Sequence, residues 1–336
     1  MRLRANNTLS MKNLFASACV ASLLAAMASA QSSEKHIVIV PHATDRNGVM
    51  VERFTTEAKE RKLDASHFAA EAVPPTQSEE CLQALEDRPA ALVVFPDSEH
   101  GWDKALVAAA KAKVPVISVG RPIFADKAEA KALFAMPDFE QQGTMAATWI
   151  VNSLHGKGGV VEVRGVDDGT PSIERQQGFM AVLGKNRGIA IVASISPLPT
   201  KPRAKATKPA ESEMPDQTLA HRLDDLLQTK GDRIAAIFCH DEFGAKQVSA
   251  AILRAEAASN HSSIKIVAID QGEGLGGVFE GSRIGASIEC HPSPESVVLG
   301  AVERATLGEK LPSSIVFKSI LIEHGPQGEK SKESTK

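Results

Sequence analysis

A series of short apolar runs in this chain ends, one after another, in charged or imidazole side chains. These are His42 and Asp45, then Asp97, Arg121, Asp138, His240 with Asp241, Asp270 and Glu289. Each run reads as a strand, and in open parallel sheets ligands sit beyond the carboxyl ends of the strands. A ring of Arg, Asp, Glu and His at such places suits a guest rich in hydroxyl groups. Each hydroxyl both donates and accepts, and ionised partners make the stronger bonds. Asp138 and Asp241 each open a helix and are equally natural N-caps.

Other chemistry is spelled in the chain but fits it less well. Cys239-His240 and Cys290-His291 bring soft ligands to two strand ends, as zinc or copper would require. Neighbours in an extended strand point to opposite faces, so neither pair chelates without a bend. A buried Cys beside a His is the expectation, with no metal. Gly272-Glu-Gly-Leu-Gly-Gly277 matches the dinucleotide fingerprint G-x-G-x-x-G, with Glu289 as its acidic partner. The interval is 289 − 272 = 17 residues, too short for the helix that must lie between. No G-x-S-x-G, H-E-x-x-H or G-x4-G-K-[ST] occurs. The chain is therefore expected to be no enzyme and to use no cofactor.

The elements that must position these residues alternate regularly. Strands are expected over His36–Val40, Ala91–Phe95, Pro115–Val119, Leu133–Met136, Gly159–Val163, Ile189–Ser194, Ile234–Cys239, Lys265–Asp270 and Ile284–Glu289. Most are continuous Val/Ile/Ala runs, which is how strands covered on both faces read. Helical spacing fills Val49–Lys62, Gly101–Lys113, Glu140–Leu154, Ser172–Lys185, Gln217–Thr229 and Glu242–Ala258. Strand alternating with helix implies parallel sheets with right-handed crossovers. Pro197–Gln217 breaks the rhythm: it is rich in Pro, Lys, Ala and Glu, lacks apolar periodicity, and reads as a solvated insert. Gly325–Lys336 is polar and reads as a frayed tail.

The N-terminus reads as an export signal. Arg2, Arg4 and Lys12 precede an apolar run from Leu14 to Met27, and Ala28-Ser29-Ala30 offers a cleavage site before Gln31. The run is shorter than the ~20 residues of a spanning helix. Cleavage leaves 38 − 3 = 35 basic against 41 acidic side chains, a net of −6. That balance lacks the basic footprint of a nucleic-acid binder. Residues 31–336 are long for one core and comfortable for two. Cys81, Cys239 and Cys290 remain, an odd count that allows one disulfide or three thiols.

Four stretches resemble the periplasmic sugar-binding proteins of ABC transporters, the ribose-binding-like group of the type I periplasmic binding protein superfamily. They are Val114-Pro-Val-Ile-Ser-Val-Gly-Arg121, Thr170-Pro-Ser-Ile-Glu-Arg-Gln-Gln-Gly-Phe179, Ala235-Ala-Ile-Phe-Cys-His-Asp-Glu242 and Ile264-Lys-Ile-Val-Ala-Ile-Asp-Gln-Gly272. The resemblance runs from about Ile37 to His324. It implies two doubly wound parallel-sheet α/β lobes joined by a three-strand hinge. Lobe one would be 31–137 plus 290–315, and lobe two 138–289 plus 316–325, with residues 326–336 a disordered tail. The chain would cross near Met136–Asp138, Glu289–His291 and Ser314–Val316. Arg121, Arg175 and Asp270 fall where the family contacts its sugar, with His240, Glu289 and Asp45 as further candidates.

The resemblance also implies a periplasmic, monomeric protein that closes on a monosaccharide and delivers it to a membrane ABC permease. A chemoreceptor or sensor kinase is the alternative membrane partner, and nucleic acid is no partner. The export signal stands where related repressors carry a DNA-binding helix-turn-helix. The sequence departs from the family pattern at several points: Gly120 replaces an Asp, His240 an Asn and Glu289 a Gln. Asp45-Arg-Asn-Gly48 replaces a turn that supplies stacking aromatics. With aromatics at 4% and no Tyr, a stacking face must come from Phe95, Trp102, Phe124, Phe134, Phe179 or Phe243.

Overall fold

The computed structural model describes residues 36–42, 48–69, 76–125, 131–165, 169–196, 219–258, 264–270, 284–291, 293–324 and 330–333. Residues 1–30, read above as an export signal, Asp45, the Pro/Lys-rich insert and the Gly272–Gly277 motif lie outside them.

The first lobe is a parallel sheet in the order β2-β1-β3-β4-β5. Its strands are β1 (His36–Val40), β2 (Asp64–His67), β3 (Ala91–Val94), β4 (Val116–Val119) and β5 (Leu133–Pro137). Helices α1 (Val49–Glu60) and α8 (Pro294–Thr306) cover one face, where Phe54, Ala58, Val298 and Val302 meet Ile37, Ile39 and Val93. The other face carries α2 (Gln77–Ala84) and α3 (Asp103–Ala112), with Cys81, Leu106 and Ala109 against Val38, Leu92 and Val94. All four residues of β3 and of β4 are buried, which is why their sequences do not alternate.

The second lobe repeats the plan in the order β10-β9-β8-β6-β7. Its strands are β6 (Gly158–Val163), β7 (Ile189–Ile195), β8 (Ala236–Cys239), β9 (Lys265–Asp270) and β10 (Ile284–His291). Helices α4 (Phe139–Ser153) and α5 (Thr170–Leu183) pack one face through Ala146, Ile150, Phe179 and Leu183. Helices α6 (Leu219–Lys230) and α7 (Glu242–Ala258) pack the other through Leu223, Leu227, Val248 and Ile252.

One strand belongs to both sheets. In β11 (Ser314–His324), Ser314–Phe317 run parallel to β5 while Lys318–Glu323 run antiparallel to β10. The crossing therefore falls between Phe317 and Lys318, just beyond the stretch expected from sequence. The other two links are the β5–α4 junction and the passage from β10 to α8.

Sequence reading omitted β2, β11, α2 and α8. β2 is short, polar and at a sheet edge, so it carries no apolar signal. The tail corrects an expectation: Lys330–Glu333 form β12, antiparallel to β11. Backbone pairing to a free strand edge needs no apolar side chain, so composition misses it.

Candidate functional site

A buried polar side chain of the second lobe is placed by glycine. Helices α4 and α5 cross with Gly143 against the backbone of Arg175 and Phe179, and with Gly178 against that of Glu140 and Thr144. A Cβ on Gly143 would lie 1.9 Å from the Arg175 carbonyl oxygen, and one on Gly178 would lie 1.9 Å from that of Glu140. Only backbone fits there. The close crossing sets Arg175, on α5, against Phe139 and Gln142 at the start of α4. We expect Gly178→Ala to force the helices apart and destabilise the fold by about 1–3 kcal/mol. The midpoint of a denaturant titration reads this.

Arg175 is 5% exposed. Its Nε donates to Gln142 Oε1 at 2.9 Å, and its Nη1 donates to the His240 carbonyl at 2.8 Å. The guanidinium lies 5.1 Å from the centre of the Phe139 ring, a cation–π contact. Gln142 is fully buried, and its amide nitrogen donates to Ser319 Oγ on β11 at 3.1 Å. Two anchors and an aromatic face thus hold the planar guanidinium in one orientation.

Behind this layer sits a buried charge network. His240 Nε2 faces Glu162 Oε1 at 3.0 Å, and both side chains are fully buried. Glu162 Oε2 accepts from Ser194 Oγ at 2.6 Å and from Gln176 Nε2 at 2.9 Å. Burial alone would push the Glu162 carboxyl up, but His240 and these two donors outweigh it and hold the pKa down. Burial pulls the His240 pKa down, only partly offset by Glu162, and the Arg175 charge adds to the fall. His240 is thus a neutral imidazole donating Nε2–H to an ionised Glu162. Its Nδ1 has no hydrogen-bond partner among the described residues, which fits a bare acceptor and not a second N–H.

A cavity of about 60 Å³ opens in front of Arg175. The first lobe contributes His42, Met50, Phe95, Val119 and Gly120; the second contributes Phe139, Gln142, Arg175 and Asp270. Pro137, Pro294 and Phe317, from the three links, also line it. Among the described residues its polar groups are one guanidinium, one carboxylate, one amide and one imidazole. His42 Nδ1 is itself held by Asp97 Oδ1 at 2.9 Å. The volume is well below the ~300 Å³ at which ordinary small-molecule pockets begin. A sugar ring is larger than the space these walls enclose.

Arg175 and Asp270 therefore share one cavity. Arg121 is not on its wall; Gly120 is. Gly120 turns the chain at φ 76°, a left-handed conformation that suits glycine, and Arg121 is half-buried with its carbonyl accepting from Ser118 Oγ. His240 stands one layer back, touching Arg175 through its carbonyl. Glu289 accepts from Ser287 Oγ at 3.0 Å, along its own strand and off the wall. Asp138 and Asp241 act as caps, accepting from the N–H of Gln141 at 2.8 Å and of Gly244 at 2.7 Å. Cys81 and Cys239 are free, buried thiols; burial pushes Cys81 up to about 12 and Cys239 well above its usual value.

Gln142, Phe139 and Phe317 were not singled out by sequence reading. Phe139 and Gln142 follow directly on the Asp138 cap at the first link between lobes. A search for polar and aromatic residues at the predicted links, and not only at strand ends, finds them.

The model of a periplasmic binding protein domain family matches residues 37–273. A solute-binding protein from Actinobacillus succinogenes, solved with bound D-allose, superposes with TM-score 0.70 at 18% identity, covering 86% of this chain and 97% of its own. A galactofuranose-binding protein gives 0.69 at 18%, covering 85% and 94%. The binding component of the arabinose ABC transporter from Shewanella sp. ANA-3, bound to α- and β-L-arabinofuranose, gives 0.67 at 22%, covering 83% and 89%. Such identities speak for a common fold. No curated protein matches the chain.

Proposed function

Since the chain belongs to the periplasmic binding protein domain family, we propose that it is an exported solute-binding protein that closes its lobes on a neutral, hydroxyl-rich small molecule, a monosaccharide, and delivers it to an ABC permease. In this reading residues 1–30 are a cleaved export signal. The lobes are 31–137 with 290–317, and 138–289 with 318–325.

The observation that carries the proposal is the shared cavity. Side chains from both lobes wall it, and residues of the three links also line it. Arg175 and Asp270 bring one positive and one negative charge to the same cavity, and that balance suits an uncharged guest. Gln142 offers an amide, and Phe95, Phe139 and Phe317 supply faces for the C–H side of a sugar ring. The sugars bound by the structural relatives support the same class. A guest contacting both lobes favours the closed arrangement by its difference in affinity for the two states.

A thermal-shift panel on residues 31–336 tests this. It includes D-allose, L-arabinose, a galactofuranoside and the common aldoses, ketoses and polyols. At a hundredfold excess over Kd, a ligand adds about 2.7 kcal/mol, which raises Tm by about 5–10 °C. At least one monosaccharide is expected to do so. A flat response to the whole panel, with charged amino acids or carboxylates giving the shift, would falsify the sugar reading.

A further inference from the structure

One hydrogen bond joins the lobes away from the cavity wall. Glu99 follows β3 in the first lobe, and its Oε1 accepts the backbone N–H of Thr170, at the start of α5 in the second, at 2.6 Å. Helix α5 begins on Gly169, which makes no side-chain cap, and Pro171 in its first turn brings no N–H. The Thr170 N–H is thus one of the orphan donors that every helix start leaves, and its partner comes from across the cleft. Negative charge is favoured at that end of a helix. Glu99 is held on its own side as well, its carbonyl accepting the Phe124 N–H at 2.9 Å.

The contact forms against opposition. Burial, and then the charges of Asp138, Glu140 and Glu99, push the Glu174 carboxyl up, so the mouth of the cleft already gathers negative charge. The Thr170 bond is what fixes Glu99 there. Arg175 lies on the same helix, five residues further along.

We propose that Glu99 is a positioning residue for capture: it caps, from the opposite lobe, the helix that carries Arg175, so that lobe closure is favoured before any guest contributes. The importance of this for capture rests on the reading of the cleft given above, while the contact and its effect on closure do not.

The test needs no sugar. Lys104 and Gln177 are exposed and lie on α3 and α5, in opposite lobes. Spin labels on Lys104→Cys and Gln177→Cys in the full chain report the distance between lobes by pulsed EPR. In Glu99→Ala the ratio of the short-distance to the long-distance population is expected to fall about five- to tenfold, the effect of losing a helix cap. Glu99→Gln, whose amide oxygen still accepts, is expected to recover most of it. A distribution unchanged in Glu99→Ala overturns the proposal, including when Tm falls, since that marks a cap acting on stability alone. A shifted distribution alongside a flat sugar panel would keep the latch and remove the sugar reading.

Discussion

Arg175→Ala is expected to weaken binding of any sugar found in the panel by about 10–150-fold, the equivalent of a lost charge-assisted bond of ~1.5–3 kcal/mol. The reason lies in how the guanidinium is held. It is buried, its Nε and Nη1 are committed to Gln142 and the His240 carbonyl, and its plane rests near Phe139. Such a group is pre-oriented, so little rotamer entropy is lost when a guest binds. Truncation also strands Gln142 Oε1 and the His240 carbonyl, so a lower melting temperature should accompany the weaker binding. Arg175→Lys separates the two effects: a single ammonium keeps the charge but cannot reproduce the fork. Its affinity should lie between parent and Ala. Isothermal titration gives the affinities, and an unchanged Kd in Arg175→Ala would take this residue out of the site.

The largest effect on stability is expected from Glu162→Ala. Removing the carboxylate costs about 3–5 kcal/mol, because His240 Nε2, Ser194 Oγ and Gln176 Nε2 all lose the same acceptor and a buried donor left unsatisfied costs about 1–3 kcal/mol. Denaturant titration at neutral pH reads it. The pair also sets a direction for pH. The His240 pKa is depressed in the fold, so the unfolded chain takes up its proton first as pH falls below about 6.5. Stability is full above that value and is lost on acidification towards the folded-state pKa. The Glu162 pKa is lowered too, so its contribution is present above the ordinary carboxylate range and lost as pH falls through the depressed value. Both act in the same sense. Glu162→Ala should therefore remove the part of the acid loss that falls below the ordinary carboxylate range, while the part set by His240, no longer offset by Glu162, remains. An equally steep fall in the carboxylate range of the variant would assign that sensitivity elsewhere.

The central strands and helices of both lobes were legible because burial on both faces leaves a plain mark: Ala91–Val94 or Lys265–Asp270 can hardly be anything else. The residues of the candidate cavity were legible in part. Asp270 ends such a strand and was named by that rule. Arg175 was named only by resemblance, since nothing in an Arg on a helix says which way it faces. Its place beside α4 depends on the close backbone approach at Gly143 and Gly178, which links residues far apart in sequence. Gln142 and Phe317 owe their place to the strand shared by the two sheets, and pairing of that kind leaves no local pattern. Arg121 and Glu289 each follow a strand as the rule demands, and neither lines this cavity; a position after a strand says where the backbone ends and not where the side chain goes.

The double membership of β11 has a consequence for how the molecule comes into being. The first lobe receives α8 and the near part of β11 only after residues 138–289 of the second lobe have been translated. Val298, Leu299 and Val302 are among the last side chains of its core to arrive. Neither half is a continuous stretch that a nuclease, a stop codon or a cloning boundary can isolate intact. A ribosome that has reached residue 290 holds a nascent chain with two unfinished sheets. Contacts so distant in sequence slow the final collapse.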